Sequence, residues 1–270
     1  MIADVLSVYG SEVAPLKKSA REIGYKIGGL LDWWGDKTVA DISAKSCRTF
    51  VASKTAPMAA AEIKLLRSAV KYWHQEYGPL NTMPVFWQPK ENPPKDRWLT
   101  KSEAARLLFH ARRHQHLRRM ILLGLYTGSR PGVILKLTWD QIDFRNGIMS
   151  RVPAGAKQDE KKRAPKVKLG RRILAHLRRW RRLDGKEVKY LCHYKGKTVH
   201  EPWQTWARAR EAAGLGNITP HVLRHTRATW LMQAGVPIWD AAGFLGMTVK
   251  TLESVYGHHA PDHQERAANI

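Results

Sequence analysis

Four short stretches of this chain concentrate side chains able to act on an anion. Arg130 stands in Thr-Gly-Ser-Arg-Pro-Gly, and Lys157 follows 27 residues later in Ala-Lys-Gln. His221 and Arg224 share His-Val-Leu-Arg-His-Thr, and Tyr256 lies 32 residues beyond Arg224 in Leu-Glu-Ser-Val-Tyr-Gly-His-His. Fixed guanidinium groups suit a phosphate undergoing in-line displacement, where charge builds on the equatorial oxygens. Histidine and lysine can carry protons, and a tyrosine hydroxyl can act as a nucleophile. His221 and Arg224 are one helical turn apart after Pro220, hence on one face. Each residue also has a plainer reading. Arg130 can be a solvated arginine, the His-x-x-Arg pair a basic solvent face, and Tyr256 a packing aromatic at a helix end. Lys157 competes for its role with Lys161, Lys162, Lys166 and Lys168 in the same stretch.

The elements that would position these residues can be read from periodicity. Up to about residue 80 the chain reads as short amphipathic helices, with apolar residues at helical spacing in Ile23, Ile27, Leu30, Leu31 and Trp34 and again in Ile63, Leu66, Val70 and Trp73. Gly35 and Asp36 break the first run. Pro79, Pro84, Pro89, Pro93 and Pro94 then preclude a regular helix and mark a linker. Thr100 and Glu103 form a T-x-x-E capping box ahead of Ala104, Leu107, Leu108 and Ala111. A second apolar helix near residues 116–126 ends at Thr127-Gly128. Residues 148–169 have β-compatible ends around a polar middle, which predicts a hairpin or small sheet. From Arg171 the pattern is helical to the end. The expected class is mainly α with a small β-sheet or hairpin, arranged as residues 1–82, a linker at 83–98 and residues 99–270.

Charge points to the partner. The 270 residues carry 46 Lys and Arg against 23 Asp and Glu, a net charge of +23. Only +3 of this falls in residues 1–80, so the second part holds the remaining +20. A field this positive attracts a polyanion, while 43% hydrophobic residues and 11 Trp exclude a disordered polycation. Cys47 and Cys192 stand far apart with no CxxC, which favours two buried thiols in a reducing cytosol over a disulfide. The start lacks the order of a signal peptide, and no apolar run approaches the ~20 residues of a membrane helix. The expectation is a soluble cytosolic protein with no membrane partner.

In their order and spacing the four stretches resemble the tyrosine recombinase (phage integrase) family over about residues 99–260. The N-terminal helices resemble, more loosely, that family's core-DNA-binding domain. The resemblance implies a two-domain DNA clamp whose catalytic domain cuts and rejoins strands. In that family a tyrosine hydroxyl attacks a backbone phosphate, leaving a 3′-phosphotyrosyl link and a free 5′-hydroxyl. The energy stays in that bond, so neither a nucleotide cofactor nor a metal is called for. Carried over, Arg130 and Arg224 match the two family arginines, and Lys157 matches the hairpin lysine that protonates the leaving 5′-oxygen. His221 matches the histidine that handles protons near the nucleophile, and Tyr256 the nucleophile. The family also implies double-stranded DNA as partner, a homotetramer on paired sites with a Holliday junction between exchanges, and accessory DNA-bending proteins. Integration or excision of a phage or mobile element is favoured over chromosome-dimer resolution by the resemblance of LLGLYTGSRPG and FLGMTVKTLESVYGHH to prophage-type integrases.

Two positions depart from the family pattern. Met247 stands where the family usually has His or Trp, and a thioether donates no hydrogen bond. His258, His259 and His225 are candidates to replace that donor, and His258 also fits the family's Tyr-x-His ending. Val133 stands where many members carry a buttressing Glu three residues after the first arginine. Only 14 residues follow Tyr256, so the expectation is a brief tail contact with a neighbour or one made elsewhere. The short N terminus favours a recombinase recognising core sites alone, or a chain cut down from a longer one.

Contacts to the DNA backbone are expected from Arg171, Arg172, Arg178 and Arg179, which with Arg181 and Arg182 crowd one segment around Leu174, Leu177 and Trp180. Lys17, Lys18, Arg21 and Lys26 are expected to oppose them from the N-terminal domain. If about eight phosphates are neutralised, log affinity falls against log salt with a slope near −7. Rival readings are a helix-turn-helix regulator built on residues 238–256, a type IB topoisomerase, and a metalloenzyme on His221 and His225. The last lacks the Glu of HExxH, because Val222 follows His221.

Overall fold

Helical spacing of apolar residues organises the first of the two units into which the chain divides, Met1–Pro93 and Pro94–Ile270. The computed structural model describes residues 1–90, 97–153, 155, 164–199, 201–261 and 268–269. In the first unit, α1 (Ile2–Val8) runs on through a π turn at Tyr9–Val13 and a 3-10 turn at Ala14–Leu16. α2 (Ala20–Trp34) buries Ile23, Leu30 and Trp34 from the predicted stripe, while Leu31 stays exposed. α3 (Ala44–Ala52) begins at Ser43, whose hydroxyl accepts the Ser46 N–H at 3.2 Å, a cap worth about 1 kcal/mol. α4 (Ala56–Glu76) tolerates Pro57 in its first turn, where no helical donor is needed, and buries Ile63, Leu66 and Val70.

These four helices enclose a core that includes Leu6, Leu30, Trp34, Phe50 and Ile63. Lys54 Nζ ties α2 to α4, donating to the Gly29 carbonyl at 2.8 Å and to Glu62 at 2.9 Å. Prolines remove backbone donors from the segment that follows, so it is irregular coil held by its side chains: Leu80, Phe86 and Trp87 pack on the same core. The Arg48 guanidinium lies 5.8 Å from the Trp87 ring centroid.

The second unit opens with the expected capping box. Thr100 Oγ1 accepts the Glu103 N–H at 3.1 Å, and the Glu103 carboxylate accepts the Thr100 N–H at 2.9 Å. This starts α5 (Lys101–His110). α6 (Gln115–Thr127) is buried on nearly every side, as a central helix must be. α7 (Pro131–Ile134) is a single turn. A three-stranded antiparallel sheet follows, β1 (Ile142–Asp143), β2 (Ile148–Met149) and β3 (Val167–Lys168), in that spatial order. Strands β2 and β3 pair Ile148 with Lys168 and Met149 with Val167, near the ends of the predicted hairpin segment.

Next comes α8 (Arg171–Asp184), and here the expectation of helix to the chain end needs correcting. A short hairpin, β4 (His193–Tyr194) and β5 (Lys197–Thr198), interrupts the helices. Its turn residues Lys195 and Gly196 both take positive φ, 48° and 80°, as a two-residue hairpin turn requires. Two-residue strands carry no readable period, and Lys-Gly is a weak turn signal. Helices then resume as α9 (Trp203–Ala212), α10 (Val222–Gln233), α11 (Ile238–Leu245) and α12 (Val249–Tyr256), with a 3-10 turn at Gly257–His259.

Helix α10 packs along α6 at Gly124, where an added Cβ would stand 2.8 Å from Leu223 Cδ1. Its other side meets α11 and α12 around Ala228, Leu231, Ala242, Leu245, Leu252 and Tyr256. A buried ion pair locks α6 to α8: Arg119 donates to both Asp184 oxygens at 2.6 and 2.7 Å and to the Leu191 carbonyl at 2.9 Å. His193 Nε2 stands 3.1 Å from Asp184 Oδ1. Burial alone would raise the Asp184 pKa, but the Arg119 hydrogen bonds and the adjacent His193 ring hold it below the ordinary carboxylate value. Both cysteines are buried free thiols, and burial pushes Cys192 up to about 12.

Candidate active site

Local chemistry at the end of α6 decides where Arg130 points. Gly128 closes the helix in the left-handed region, φ 62° and ψ 16°. Proline at 131 then disfavours the helical region for the residue before it, and Arg130 takes φ −63°, ψ 140°. The side chain therefore leaves the chain at a sharp break between α6 and α7. Thr127 stabilises this turn: its hydroxyl donates to the Leu123 carbonyl at 2.6 Å and accepts the Ser129 N–H at 3.2 Å.

Arg224 comes to the same place from α10. It is buried, and its Nη1 donates to the carbonyls of Gly128 at 2.8 Å and Leu245 at 2.7 Å. One guanidinium thus joins the turn ahead of Arg130 to the end of α11. Burial first, then the Arg130 cation, push the Arg224 pKa down to about 10, and the Tyr256 phenol acts in the opposite sense. His221, at the N-cap of α10, couples electrostatically to both arginines. Burial of its ring, then Arg224 and Arg130, lower its pKa, so the neutral imidazole is favoured.

Tyr256 ends α12 with its ring buried among the side chains that join α10, α11 and α12. Its hydroxyl lies 2.6 Å from His225 Nδ1, and the two ring centroids are 5.8 Å apart. Arg130, His221, Arg224 and Tyr256, separated by up to 126 residues of sequence, are therefore brought into one electrostatically coupled group. Lys157 lies outside the described residues.

The two departures from the family pattern have structural counterparts. Met247 packs on the apolar cluster that contains Tyr256, as a filler and not as a donor. Val133 is half-buried in α7. The turn ahead of Arg130 is held from the sheet side by Arg151, a residue that sequence reasoning missed. Arg151 is 6% exposed and donates to Ser129 Oγ at 2.8 Å, the Thr127 carbonyl at 2.7 Å and the Phe244 carbonyl at 2.8 Å. Burial, followed by the Arg224 and Arg130 cations, pushes its pKa down to about 9. An arginine just past a strand resembles any solvated one in sequence, so nothing local signals its burial. The His258 and His259 rings lie tilted at 43° with centroids 4.0 Å apart, and His259 meets Trp98 edge-on at 6.1 Å.

Most of the expected DNA-contacting residues are exposed. Arg171, Arg172, Arg178 and Arg179 are exposed on α8, whose Ile173, Leu177 and Trp180 are buried. In the first unit Lys17, Lys18 and Arg21 are exposed near the start of α2, and Lys26 is half-buried. Among the described residues no group of three or more His, Cys, Asp or Glu is placed to hold a metal ion. No helix among them is long and apolar enough to cross a membrane.

Comparison with known proteins places this geometry in context. A family model described as the phage integrase family matches residues 97–263. The chain is 27% identical over 213 residues to an integrase of Salmonella phage P22, covering 74% of this chain and 52% of that protein. It thus spans about half the length of that relative. It is also 25% identical over 251 residues to the tyrosine recombinase XerA of Thermococcus kodakarensis, covering 90% and 85% of the two chains. Among solved structures, the Tn1549 transposon integrase in complex with circular intermediate DNA superposes with a TM-score of 0.81 at 16% identity, covering 100% of this chain and 99% of that one. A lambda integrase dimer bound to a core site gives 0.74 at 18% identity, covering 92% and 96%. At such identities the structural likeness speaks for the fold.

Proposed function

Because this chain belongs to the phage integrase family of tyrosine recombinases, we propose that it is a site-specific DNA recombinase that cuts and rejoins strands through a 3′-phosphotyrosine. The observation that supports this reading is that Arg224 is anchored both to the turn ahead of Arg130 and to the end of α11, with His221 one turn before it on α10 and Tyr256 buried where α10, α11 and α12 meet. Arg130 and Arg224 hold the non-bridging oxygens of the scissile phosphate and take up the charge that grows there in the transition state. Arg224 is suited to this because its backbone contacts fix it before DNA arrives. Tyr256 attacks in line and the departing 5′-oxygen takes a proton from Lys157. Neutral His221, beside the two guanidiniums, manages protons at the phosphate. The phosphotyrosyl bond retains the free energy of the broken linkage, so a 5′-hydroxyl can reseal it without a cofactor or metal.

The partner in this reading is double-stranded DNA, gripped by the exposed arginines of α8 and by Lys17, Lys18, Arg21 and Lys26. The chemistry runs in a homotetramer on two paired sites, with accessory DNA-bending proteins assisting. Its role is the integration or excision of a phage or other mobile element, as befits a relative of phage integrases. The test is covalent trapping on nicked duplexes from the DNA flanking its own gene, without added metal. Wild type should form an adduct stable on a denaturing gel, and Tyr256→Phe should bind the same duplexes and form none. Tight binding with no adduct from wild type would refute the reading and favour a non-catalytic regulator.

A further inference from the structure

We propose that His225 is the proton acceptor for the Tyr256 hydroxyl, a catalytic residue separate from His221. The inference rests on the reading of Tyr256 as nucleophile. A phenol attacks phosphorus well only as it loses its proton, and Tyr256 is 6% exposed, so bulk water is poorly placed to take it. His225 Nδ1 stands 2.6 Å from that oxygen. Donation from the phenol requires the neutral ring with its own proton on Nε2.

His221, the histidine singled out in the sequence, lies one turn earlier on α10 beside the cations Arg224 and Arg130, whereas the 2.6 Å contact to the Tyr256 hydroxyl is made by His225. Successive residues on a helix point about 100° apart. Arg224 therefore turns to the carbonyls of Gly128 and Leu245 while His225, next in sequence, turns to Tyr256. One turn of α10 thus aims the phosphate clamp and the proton acceptor together. In the cutting step the Tyr256 Oη–P bond forms, the P–O5′ bond breaks, and its electron pair leaves on the 5′-oxygen. The phenolic proton passes to Nδ1, and the 5′-oxygen takes its proton from Lys157. In rejoining, the 5′-hydroxyl returns its proton to Lys157 as it attacks, the P–Oη bond breaks with its electron pair leaving on Oη, and the His225 imidazolium returns the phenolic proton.

The elements packed on α10 carry other titratable and charged groups, among them Tyr126 on α6, Asp240 on α11, Lys250 and Glu253 on α12, and His258 and His259 after it, with Arg130 ahead of α7. His221, Arg224 and Arg227 share the helix itself. A pH limb is therefore assigned to His225 only by the difference between wild type and variant.

Once wild-type trapping has located the cut, its rate is measured on two duplexes, one normal and one with sulfur replacing the bridging 5′-oxygen. The sulfur leaving group needs no proton. His225→Ala and His225→Gln should keep duplex binding and slow adduct formation about a hundred- to a thousandfold on both substrates. The variants should lose the wild-type pH limb and speed up in alkali as the phenol ionises unaided. Added imidazole should partly restore His225→Ala. Wild-type rates in both variants would overturn the proposal. So would rescue by the sulfur substrate, which would assign His225 to the leaving group, or an equal loss at every pH without imidazole rescue, which would make its role structural. Absence of any adduct from wild type would overturn this proposal together with the recombinase reading.

Discussion

Replacing Gly128 by alanine tests whether the turn between α6 and α7 holds the site together. An added Cβ there would stand 2.3 Å from Leu245 Cδ2 and 3.2 Å from Arg227 Cγ. Two costs follow. An L-residue in the left-handed region costs roughly 1–2 kcal/mol. Leu245 is fully buried, and forcing an extra methyl into packed side chains costs roughly 1–3 kcal/mol more. Gly128→Ala should therefore destabilise the second unit by roughly 2–5 kcal/mol. Gly235 supplies the control, since its φ of 67° is similar but no atom lies within 4 Å of an added Cβ. Gly235→Ala should incur only the backbone cost. The difference between the variants isolates the packing cost, about five- to 150-fold in the opening constant of α6 and α10 amides. Native-state hydrogen exchange reads this directly, because it follows the second unit apart from the first. Adduct formation should fall further in Gly128→Ala than in Gly235→Ala, because the Leu245 carbonyl that would be displaced also holds Arg224. Equal loss of protection in the two variants would refute the steric reasoning.

Three further outcomes are expected. Arg151→Met leaves the Thr127 and Phe244 carbonyls and Ser129 Oγ without their donor, costing roughly 2–4 kcal/mol; Arg151→Lys should recover only part, since an ammonium cannot reproduce the planar fork. An unchanged urea midpoint in Arg151→Met would show that the clasp adds nothing to stability. Asp184 has a lowered pKa in the fold, so its contribution is full above the ordinary aspartate value of about 3.9 and is lost as pH falls through the lower native value. Asp184→Asn should cost about 3–5 kcal/mol at neutral pH and flatten that acid limb in urea titrations; a limb identical to wild type would assign it elsewhere. Arg178→Ala combined with Arg179→Ala should weaken duplex binding without abolishing trapping at saturating protein, and reduce the log–log salt slope by about 0.9 for each phosphate no longer neutralised. A salt slope equal to wild type would place both arginines off the DNA.

Much of the fold was legible because its signals are local. The Thr100–Glu103 box starts α5 where expected, since both partners of the cap lie within four residues of each other. The apolar stripes of α2 and α4 and the Gly128 stop of α6 follow the same logic. The β4–β5 hairpin escaped because strands of two residues have no period. In the site, sequence motifs named Arg130, His221, Arg224 and Tyr256, but they named Arg151 not at all and offered His225 only as one of three candidate donors in place of Met247.

The amino-acid sequence by itself determined the family, the helical class, the basic charge and the residue types available for phosphate chemistry, because these depend on composition and on spacing along one chain. Only the tertiary structure decided which of those side chains meet. Arg224 finds the carbonyls of Gly128 and Leu245 across 96 and 21 residues, Arg151 clasps a turn and a helix end, and Tyr256 meets His225 across 31 residues. Such pairings depend on how α6, α10, α11 and α12 pack. Burial makes each unpaired donor or acceptor costly, so the packed chain fixes partners that no local pattern encodes.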